Sequence, residues 1–394
     1  MNNRERFLNI FGKKPIDRVF NMEIALWPQT AYRWVNEGMP LSALDIPAGA
    51  SFEEGIAGND LLLMTKKPMP FFRQLNGWLE MAPLNGWKPL PAFEEKVLAE
   101  DERSITIRDS TGNVVKSLKE GSINGFRLSM DQHLDFPVKG REDFREMKKR
   151  YIANMDRLPK DWDVLCKKYN NPGREFPLSL FGIGDIGFYS QLRRWMGTEN
   201  ACCIFYEDPA LTEEMVEFIG DYTIELISIA VKSVKKFDMM HIFEDMCFNN
   251  GPLVSPGLFK KYLVPAYRKI VDEAKKYGIE YFLLDCDGDI KDLMPLWMDS
   301  GINIMMPLEV KAGADPFFMR KEFGNDLGLI GGIPKYELTK SKAEIEKCVR
   351  NTLGHMLPIG AYIPTLDHSV PPDVPLENFQ YYLEIKEKCL AGEL

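Results

Sequence analysis

Short apolar runs alternate with longer amphipathic segments from about residue 176 to the C-terminus. The runs predict strands that begin near Phe176, Met239, Tyr281, Ile302, Leu327 and Gly360. The segments between them predict a helix that ends near Met298 and helices over about Pro209–Ala230, Pro256–Tyr277, Pro316–Phe323, Lys342–Leu353 and Leu376–Leu390. Such alternation is typical of a parallel sheet covered by helices.

The start of the chain adds a similar unit. Asp17–Ile24 forms an apolar run, and a helix is predicted near Gln29–Asn36. So many strand–helix units in series favour a closed (β/α)8 TIM barrel over an open sheet. We therefore expect an α/β protein in which residues 1–394 form a single barrel domain.

Residues from about 51 to 149 do not follow this pattern. Within them, Glu95–Leu118 alternates apolar and polar residues on both sides of Ser110–Asn113, which predicts an antiparallel hairpin. A small β-rich insertion is therefore expected in the N-terminal part of the barrel. One barrel strand is expected near Gly77–Met81, and a polar helix or linker near Arg141–Tyr151 leads back to the barrel.

Acidic residues follow nearly every predicted strand. The functional side chains of a parallel barrel lie at the carboxyl ends of its strands. Here those ends carry Asp185, Glu244, Asp245, Asp285, Asp287, Glu309, Asp367 and His368. Residues two apart in an extended chain face the same way, so we expect Asp285 and Asp287 to point into one cleft and Cys286 to point away from it.

Several carboxylates in one cleft repel one another, so either some of them hold protons or a cation neutralises them. A protonated carboxylic acid can act as a general acid, and a metal held by acids and a histidine can act as a Lewis acid. The alternative is a solvated acidic rim in which residues such as Asp285 only cap helices. Of the four histidines, His368 at a strand end is the functional candidate, whereas His241 within an apolar strand is expected to be a hydrogen-bonded core residue.

Charge and composition indicate which partners and which cellular compartment to expect. The formal net charge is −9 and no long run of Lys or Arg occurs, so no nucleic-acid partner is expected. No segment is apolar over the ~18 residues that a membrane span needs, and the first residues lack the apolar core of a signal peptide. The seven cysteines contain no CxxC pair. We expect a cytoplasmic protein with reduced cysteines and no membrane partner.

Several segments resemble the uroporphyrinogen decarboxylase superfamily. The segment YIPTLDHSVPPDVPLENFQYY (Tyr362–Tyr382) is similar to its C-terminal signature, in which a strand end precedes a Pro-rich turn and a Glu-Asn helix start. The segment from Phe243 to Val271 is similar to its strand, Ser-Pro-capped helix and Pro-Tyr pattern, and LLDCDGDIKDLMPLWMDSGIN and PLEV match in order and spacing. The resemblance covers about residues 176–388 and implies a (β/α)8 barrel.

The superfamily contains cofactor-free decarboxylases of uroporphyrinogen and corrinoid-linked methyltransferases. The methyltransferases bind zinc through His-x-Cys at one strand end and a Cys at the last strand, and these positions fall on Asp285, Asp287 and His368. Without thiolates, the resemblance implies a harder divalent ion or a weaker zinc site. The decarboxylases grip a polycarboxylate through arginines, whereas Ala25–Pro40 contains only Arg33.

These observations favour a corrinoid-dependent methyltransferase component, which moves a methyl group between a small methylated compound and a cobamide carried by a partner corrinoid protein. The candidate catalytic residues are Asp285, Asp287, His368 and Glu244, of which the first three are also candidate metal ligands. The candidate substrate-binding residues are Glu309, Asp245, Asp185 and Arg33. Two alternatives stay open: a decarboxylase-like lyase acting on a porphyrinogen or other polycarboxylate, and a non-catalytic ligand-binding barrel. A homodimer also stays open.

Overall fold

The computed structural model describes residues 1–44, 61–65, 70–119, 122–123, 126–127 and 131–393. The strands are β1 (Ala25–Leu26), β2 (Leu61–Leu62), β3 (Glu80–Met81), β4 (Lys96–Glu100), β5 (Ser104–Arg108), β6 (Val114–Leu118), β7 (Ser122–Ile123), β8 (Phe126–Arg127), β9 (Gln132–Asp135), β10 (Leu178–Leu180), β11 (Met239–Phe243), β12 (Cys247–Phe248), β13 (Gly251–Pro252), β14 (Tyr281–Asp285), β15 (Ile304–Met306), β16 (Gly328–Ile330) and β17 (Tyr362–Ile363).

The helices are α1 (Asn3–Phe11), α2 (Pro28–Asn36), α3 (Arg141–Lys148), α4 (Trp162–Tyr169), α5 (Phe188–Met196), α6 (Thr198–Glu207), α7 (Pro209–Ser233), α8 (Pro256–Leu258), α9 (Val264–Lys275), α10 (Met294–Asp299), α11 (Pro316–Phe323), α12 (Lys342–Met356) and α13 (Leu376–Leu390). A π-helical turn over Phe259–Leu263 joins α8 to α9, and Pro265 is the second residue of α9. None of the described helices is long and apolar enough to cross a lipid bilayer.

One curled parallel sheet organises the molecule. Its strands lie in the order β17-β16-β15-β14-β11-β10-β3, so chain order runs steadily across the sheet. Every neighbouring pair in it is parallel, as the strand–helix alternation predicted. The strand expected near Gly77–Met81 is confirmed as β3, which pairs with β10.

The start of the chain lies near both ends of this sheet. Leu26 forms a parallel bridge with Val370, which follows β17. On the other side, Met64 N–H donates to Ile24 O at 3.2 Å, and Leu79 N–H donates to Met64 O at 2.9 Å just before β3. The strand predicted over Asp17–Ile24 is displaced to β1, because the preceding residues make isolated hydrogen bonds of this kind instead of a ladder.

A four-stranded antiparallel sheet, β4-β5-β6-β9, lies between β3 and β10 in the chain. Its central hairpin joins β5 to β6 and confirms the hairpin predicted over Glu95–Leu118. The Asp109 carboxylate closes the turn, since it accepts hydrogen bonds from the N–H groups of Thr111 and Asn113 at 2.8 and 3.0 Å. The expected insertion also includes residues 51–60, which lie outside the described residues.

Apart from β3, the parallel strands are largely buried on both faces, and their side chains alternate between two apolar layers. The inner cluster contains Met239, Leu283, Ile304, Met306, Ile330 and Ile363 together with Phe7 and Phe11 of α1. The neighbouring residues Phe282 and Leu284 belong to the outer cluster, which packs against the helices. This alternation determines which strand-end side chains face the inside of the curled sheet.

Candidate active site

Asp285 lies at the carboxyl end of β14 and faces the interior, two residues beyond Leu283 of the inner cluster. His241 occupies the equivalent face of the neighbouring strand β11, two residues beyond Met239. His241 Nε2 lies 3.5 Å from Asp285 Oδ2, which is longer than an ordinary hydrogen bond. The two polar side chains therefore meet just above the apolar interior.

This pair is buried. His241 is fully buried and Asp285 is 8% exposed. Burial raises the pKa of Asp285 above its ordinary value, and the neighbouring His241 offsets only part of that rise. Asp285 therefore holds a proton more readily than an exposed aspartate does.

The expectation that His241 is a hydrogen-bonded core residue is wrong in one respect. The side chain is buried as expected, but neither ring nitrogen has a hydrogen-bond partner among the described residues. A buried ring of this kind ordinarily satisfies at least one nitrogen. The alternation along Met239–Phe243 is the sequence signal that could have placed His241 beside Asp285.

A second pair, Asp287 with His368, lies closer to solvent. His368 Nε2 is 3.3 Å from Asp287 Oδ2, and the two side chains are 30% and 39% exposed. Burial by itself lowers the pKa of His368, but the hydrogen bond and negative charge of Asp287 outweigh it, so the pKa is raised above the usual value. The Asp287 carboxylate thus favours the protonated form of His368.

Glu309 and Asp367 tie the surrounding loops together. Glu309 Oε1 accepts a hydrogen bond from Lys335 Nζ at 2.9 Å, and its Oε2 accepts from Gly288 N–H at 3.1 Å. Asp367 is almost fully buried and accepts from the N–H groups of Lys335 and Val310 at 2.8 and 3.2 Å. These contacts hold the loops after β14, β15, β16 and β17 around the two histidine–aspartate pairs.

Glu244 is not part of this cleft. The prediction that it lies there as a catalytic residue is therefore corrected. It follows Phe243 on the opposite face of the chain, is fully buried, and accepts from the N–H groups of Phe188 and Ser190 at 2.6 and 2.9 Å. The Tyr267 hydroxyl donates to the same carboxylate. Because these N–H groups belong to the first turn of α5, the carboxylate satisfies donors that the helix leaves unpaired.

Asp245 and Arg33 also lie apart from the two pairs, whereas Asp185 lies near enough to His241 for the two groups to interact electrostatically. Asp185 Oδ2 accepts from Gly182 N–H at 2.8 Å, and burial raises the pKa of Asp185 to about 7. The Asp245 carboxylate pairs with Arg193. Arg33 Nε binds Glu37, the residue that follows α2, at 2.6 Å, and Arg33 Nη1 donates to Pro372 O.

Three of the strand-end acids therefore lie beside basic side chains of the protein itself. Asp285 faces His241, Asp287 faces His368, and Glu309 faces Lys335. The sequence showed the acids because they recur at strand ends. It did not show their basic partners, which come from distant positions such as His241 and Lys335.

Only two of the three predicted metal ligands lie close together. Asp287 and His368 are close enough to share a cation, whereas Asp285 is turned toward His241. Among the described residues, no group of three or more His, Cys, Asp and Glu side chains lies close enough together to hold a metal ion. The arrangement of these three donors therefore does not fit a complete three-ligand site.

Cys286 lies between the two aspartates and points away from them, as the alternation predicted. It is 2% exposed and belongs to the outer apolar cluster together with Cys247. Burial raises the pKa of the Cys286 thiol well above its ordinary value. A thiol that resists ionisation is a poor nucleophile, so Cys286 is part of the packing.

A curled parallel sheet that gathers polar side chains at its carboxyl edge defines a TIM-barrel-like α/β protein. The sequence profile of the uroporphyrinogen decarboxylase (URO-D) family matches residues 137–388, and the chain belongs to this family. Among solved structures, a methyltransferase from Methanosarcina mazei is similar, with a TM-score of 0.56, 12% sequence identity, and coverage of 99% of each chain. At that identity the likeness shows a shared fold. No protein with a curated description matches the sequence at a significant level.

Proposed function

We propose that this protein is the methyl-transferring component of a corrinoid-dependent system, which moves a methyl group between a small methylated compound and a cobamide on a partner protein. The observation that carries the proposal is the partly exposed Asp287–His368 pair beside the buried Asp285–His241 pair. Membership of the URO-D family and the fold shared with a methyltransferase support it.

The chain's own contribution is a positioned acid. A methyl group bound to oxygen or nitrogen leaves slowly unless the heteroatom is protonated as the bond breaks. His368, charged beside Asp287, would donate that proton, while the bonding electrons remain on the heteroatom. The reduced cobamide supplies the strong nucleophile that receives the methyl group. Holding donor and acceptor in line would provide the rest of the acceleration.

A divalent metal, zinc or a harder ion, is the other means of activating a leaving group. Asp287 and His368 would provide two ligands for such an ion, but Asp285 is directed toward His241. The donor set does not fit a full site, so we derive no step through a metal. Metal analysis of the purified protein and of its Asp287→Asn variant would test this part of the proposal.

Decarboxylation of a polycarboxylate is less well supported. That reaction needs several arginines aimed at the substrate. Arg33, the only arginine between Ala25 and Pro40, binds Glu37 and donates to Pro372 O at 2.8 Å. A non-catalytic barrel would bind ligand without turnover.

The experiment uses cob(I)alamin or a reduced corrinoid protein with a panel of methyl ethers and methylamines. The readout is the change in the corrinoid absorption spectrum when it takes up a methyl group. We expect transfer from at least one donor, and at least a ~100-fold slower rate in His368→Gln and Asp287→Asn, in line with loss of general-acid catalysis.

Matched control variants are available on the same chain. Asp289→Asn changes an aspartate two positions away that pairs with Lys291, and His355→Gln changes a histidine that packs against Phe317 at the end of α12. Both should keep the wild-type rate. No methyl uptake with any donor, or equal loss in the control variants, would count against the proposal.

We further propose that the curled sheet closes as an eight-stranded barrel, in which β1 is the eighth strand and residues 61–65 connect it to β3. The hydrogen bonds of Val370 with Ala25 and of Leu79 with Met64 support closure at this point. On this view the whole chain is one domain with β4-β5-β6-β9 as an inserted sheet, and it works in the cytoplasm with a corrinoid protein as partner.

A further inference from the structure

A cavity of about 310 Å³ lies between the antiparallel sheet and the carboxyl edge of the parallel sheet. Asn113 and Phe136 form one wall, and Arg193, Arg194 and Phe243 form the other. Its volume is at the lower end of the range for small-molecule sites, ~300–1,000 Å³. Segments distant in sequence therefore build its wall: the antiparallel sheet, helix α5 and the end of β11.

Arg194 is the unusual group in this cavity. Its Nη1 donates to Gly184 O at 2.9 Å, and the guanidinium lies 4.8 and 5.7 Å from the ring centres of Trp87 and Phe243. No carboxylate of the described residues lies within ion-pairing distance of it, whereas its neighbour Arg193 pairs with Asp245. Partly buried guanidinium groups ordinarily have a negative partner.

The nearest acids do not provide that partner. Glu244 and Asp185 act on Arg194 only at longer range. The Glu244 carboxylate is already bonded to α5 and to Tyr267, and Asp185 is bonded to Gly182. Burial lowers the pKa of Arg194 below its ordinary value, which agrees with a charge that lacks full compensation.

A second polar group in the wall also lacks a partner. Asn113 is 7% exposed, and its Oδ1 makes no hydrogen bond with the described residues. Buried carbonyl oxygens are ordinarily satisfied, but this one has almost no accessible surface, so it belongs to the wall and is not presented to a ligand. The cavity thus presents one uncompensated cation and the rings of Phe136 and Phe243, while Asp245, which also lines it, is neutralised by Arg193.

We propose that this cavity binds a small carboxylate with a flat apolar body. The carboxylate would bind the Arg194 guanidinium, and the body would lie between Phe243 and Phe136. Phe243 is in register with Asp285 on the adjacent strand, so the backbones of these two residues lie about one strand spacing, ~4.8 Å, apart. The inference goes beyond the proposed function, because binding does not require methyl transfer.

The test is isothermal titration calorimetry with benzoate and with benzamide, which has the same shape without the charge. We expect the wild-type protein to bind benzoate and to bind benzamide at least tenfold more weakly. Arg194→Gln should weaken benzoate binding by about ten- to a hundredfold, as expected for loss of a charged hydrogen bond. Arg268→Gln, which changes a surface arginine paired with Asp299, is the matched control and should bind as wild type does.

Equal affinity for the two ligands, no binding of benzoate at millimolar concentration, or an unchanged affinity in Arg194→Gln would overturn the proposal. Thermal unfolding of each variant shows whether Arg194→Gln is folded. If it is not, the comparison of benzoate with benzamide on the wild-type protein decides the question. These outcomes are independent of methyl transfer, so the binding proposal and the proposed function fail separately.

Discussion

Asp287 Oδ2 lies 3.3 Å from His368 Nε2, although β15 and β16 separate the strands β14 and β17 that lead to these residues. Three strand spacings in a flat sheet would amount to about 14 Å. The sheet is curled and the two loops run inward, so the two side chains come into contact despite this separation of their strands. The pair is therefore a product of the tertiary structure, and its chemistry leads to testable consequences.

Activity is expected to fall as pH rises through the pKa of His368, because the proton donor is then lost. Asp287 raises that pKa despite the opposing effect of burial, so in the wild type the fall should lie above the ~6.5 of an ordinary histidine. The raised pKa also means that the pair stabilises the fold below pH ~6.5 and that this contribution is lost as pH rises through the folded-state pKa.

In Asp287→Asn the supporting charge is gone while the burial remains, so the fall in activity should move below pH ~6.5. Profiles of rate against pH for the wild type, Asp287→Asn and Asp289→Asn would measure this. Identical profiles for wild type and Asp287→Asn would show that Asp287 does not control the protonation of His368.

Glu244→Ala is expected to lower the free energy of unfolding by about 2–4 kcal/mol, because it leaves buried donors of α5 without an acceptor. Urea denaturation measures the change. Glu322→Ala, at an exposed position of α11, is the control and should change stability by less than ~0.5 kcal/mol. A stable but inactive Glu244→Ala protein would instead support the catalytic role that the sequence suggested.

Lys386→Met is expected to destabilise the protein by about 3–5 kcal/mol, because it leaves Glu23 as a buried unpaired charge. Lys386 Nζ lies 2.5 Å from Glu23 Oε1, and Glu23 Oε2 accepts from Leu366 N–H at 2.9 Å, two residues before His368.

The double variant Glu23→Gln/Lys386→Met should recover part of this loss, which a double-mutant cycle in urea would quantify. Additive effects of the two substitutions would mean that the pair is not coupled. A slower methyl transfer in the folded double variant would indicate that the network also positions the His368 loop.

Asp185→Asn is expected to stabilise the protein at pH 8 by about 1–3 kcal/mol. Burial raises the folded-state pKa of Asp185 to about 7, so the folded protein binds more protons than the unfolded chain between pH ~4 and 7 and loses stability as pH rises through that window. Urea denaturation at pH 4 and pH 8 measures the difference, which should vanish at the lower pH. Asp163→Asn, at an exposed aspartate, should show no such dependence.

Much of the fold follows from local pattern. Helix α13 over Leu376–Leu390 and helix α11 over Pro316–Phe323 have the bounds that the apolar spacing predicted. The parallel strands were located as well, because buried strands are nearly continuous apolar runs. The strand predicted over Asp17–Ile24 was displaced to Ala25–Leu26. An apolar run does not show whether its backbone will form regular hydrogen bonds with a neighbouring strand.

The candidate site was predictable only in part. Asp287 and His368 were recognised from their positions at strand ends, and the orientation of Cys286 followed from the twofold period of a strand. Glu244 satisfied the same positional criterion but faces the opposite side, where the start of α5 supplies its hydrogen-bond donors.

The sequence by itself determined the class of fold, the family, and the acids that crowd the carboxyl edge of the sheet, because those features depend on local periodicity and motif. The tertiary structure alone decided which base each acid meets, such as His241 for Asp285 and Lys335 for Glu309. It also left Arg194 without a carboxylate partner among the described residues. Pairing between charges depends on distances across the curled sheet, and residues far apart in the chain carry no local signal of such distances.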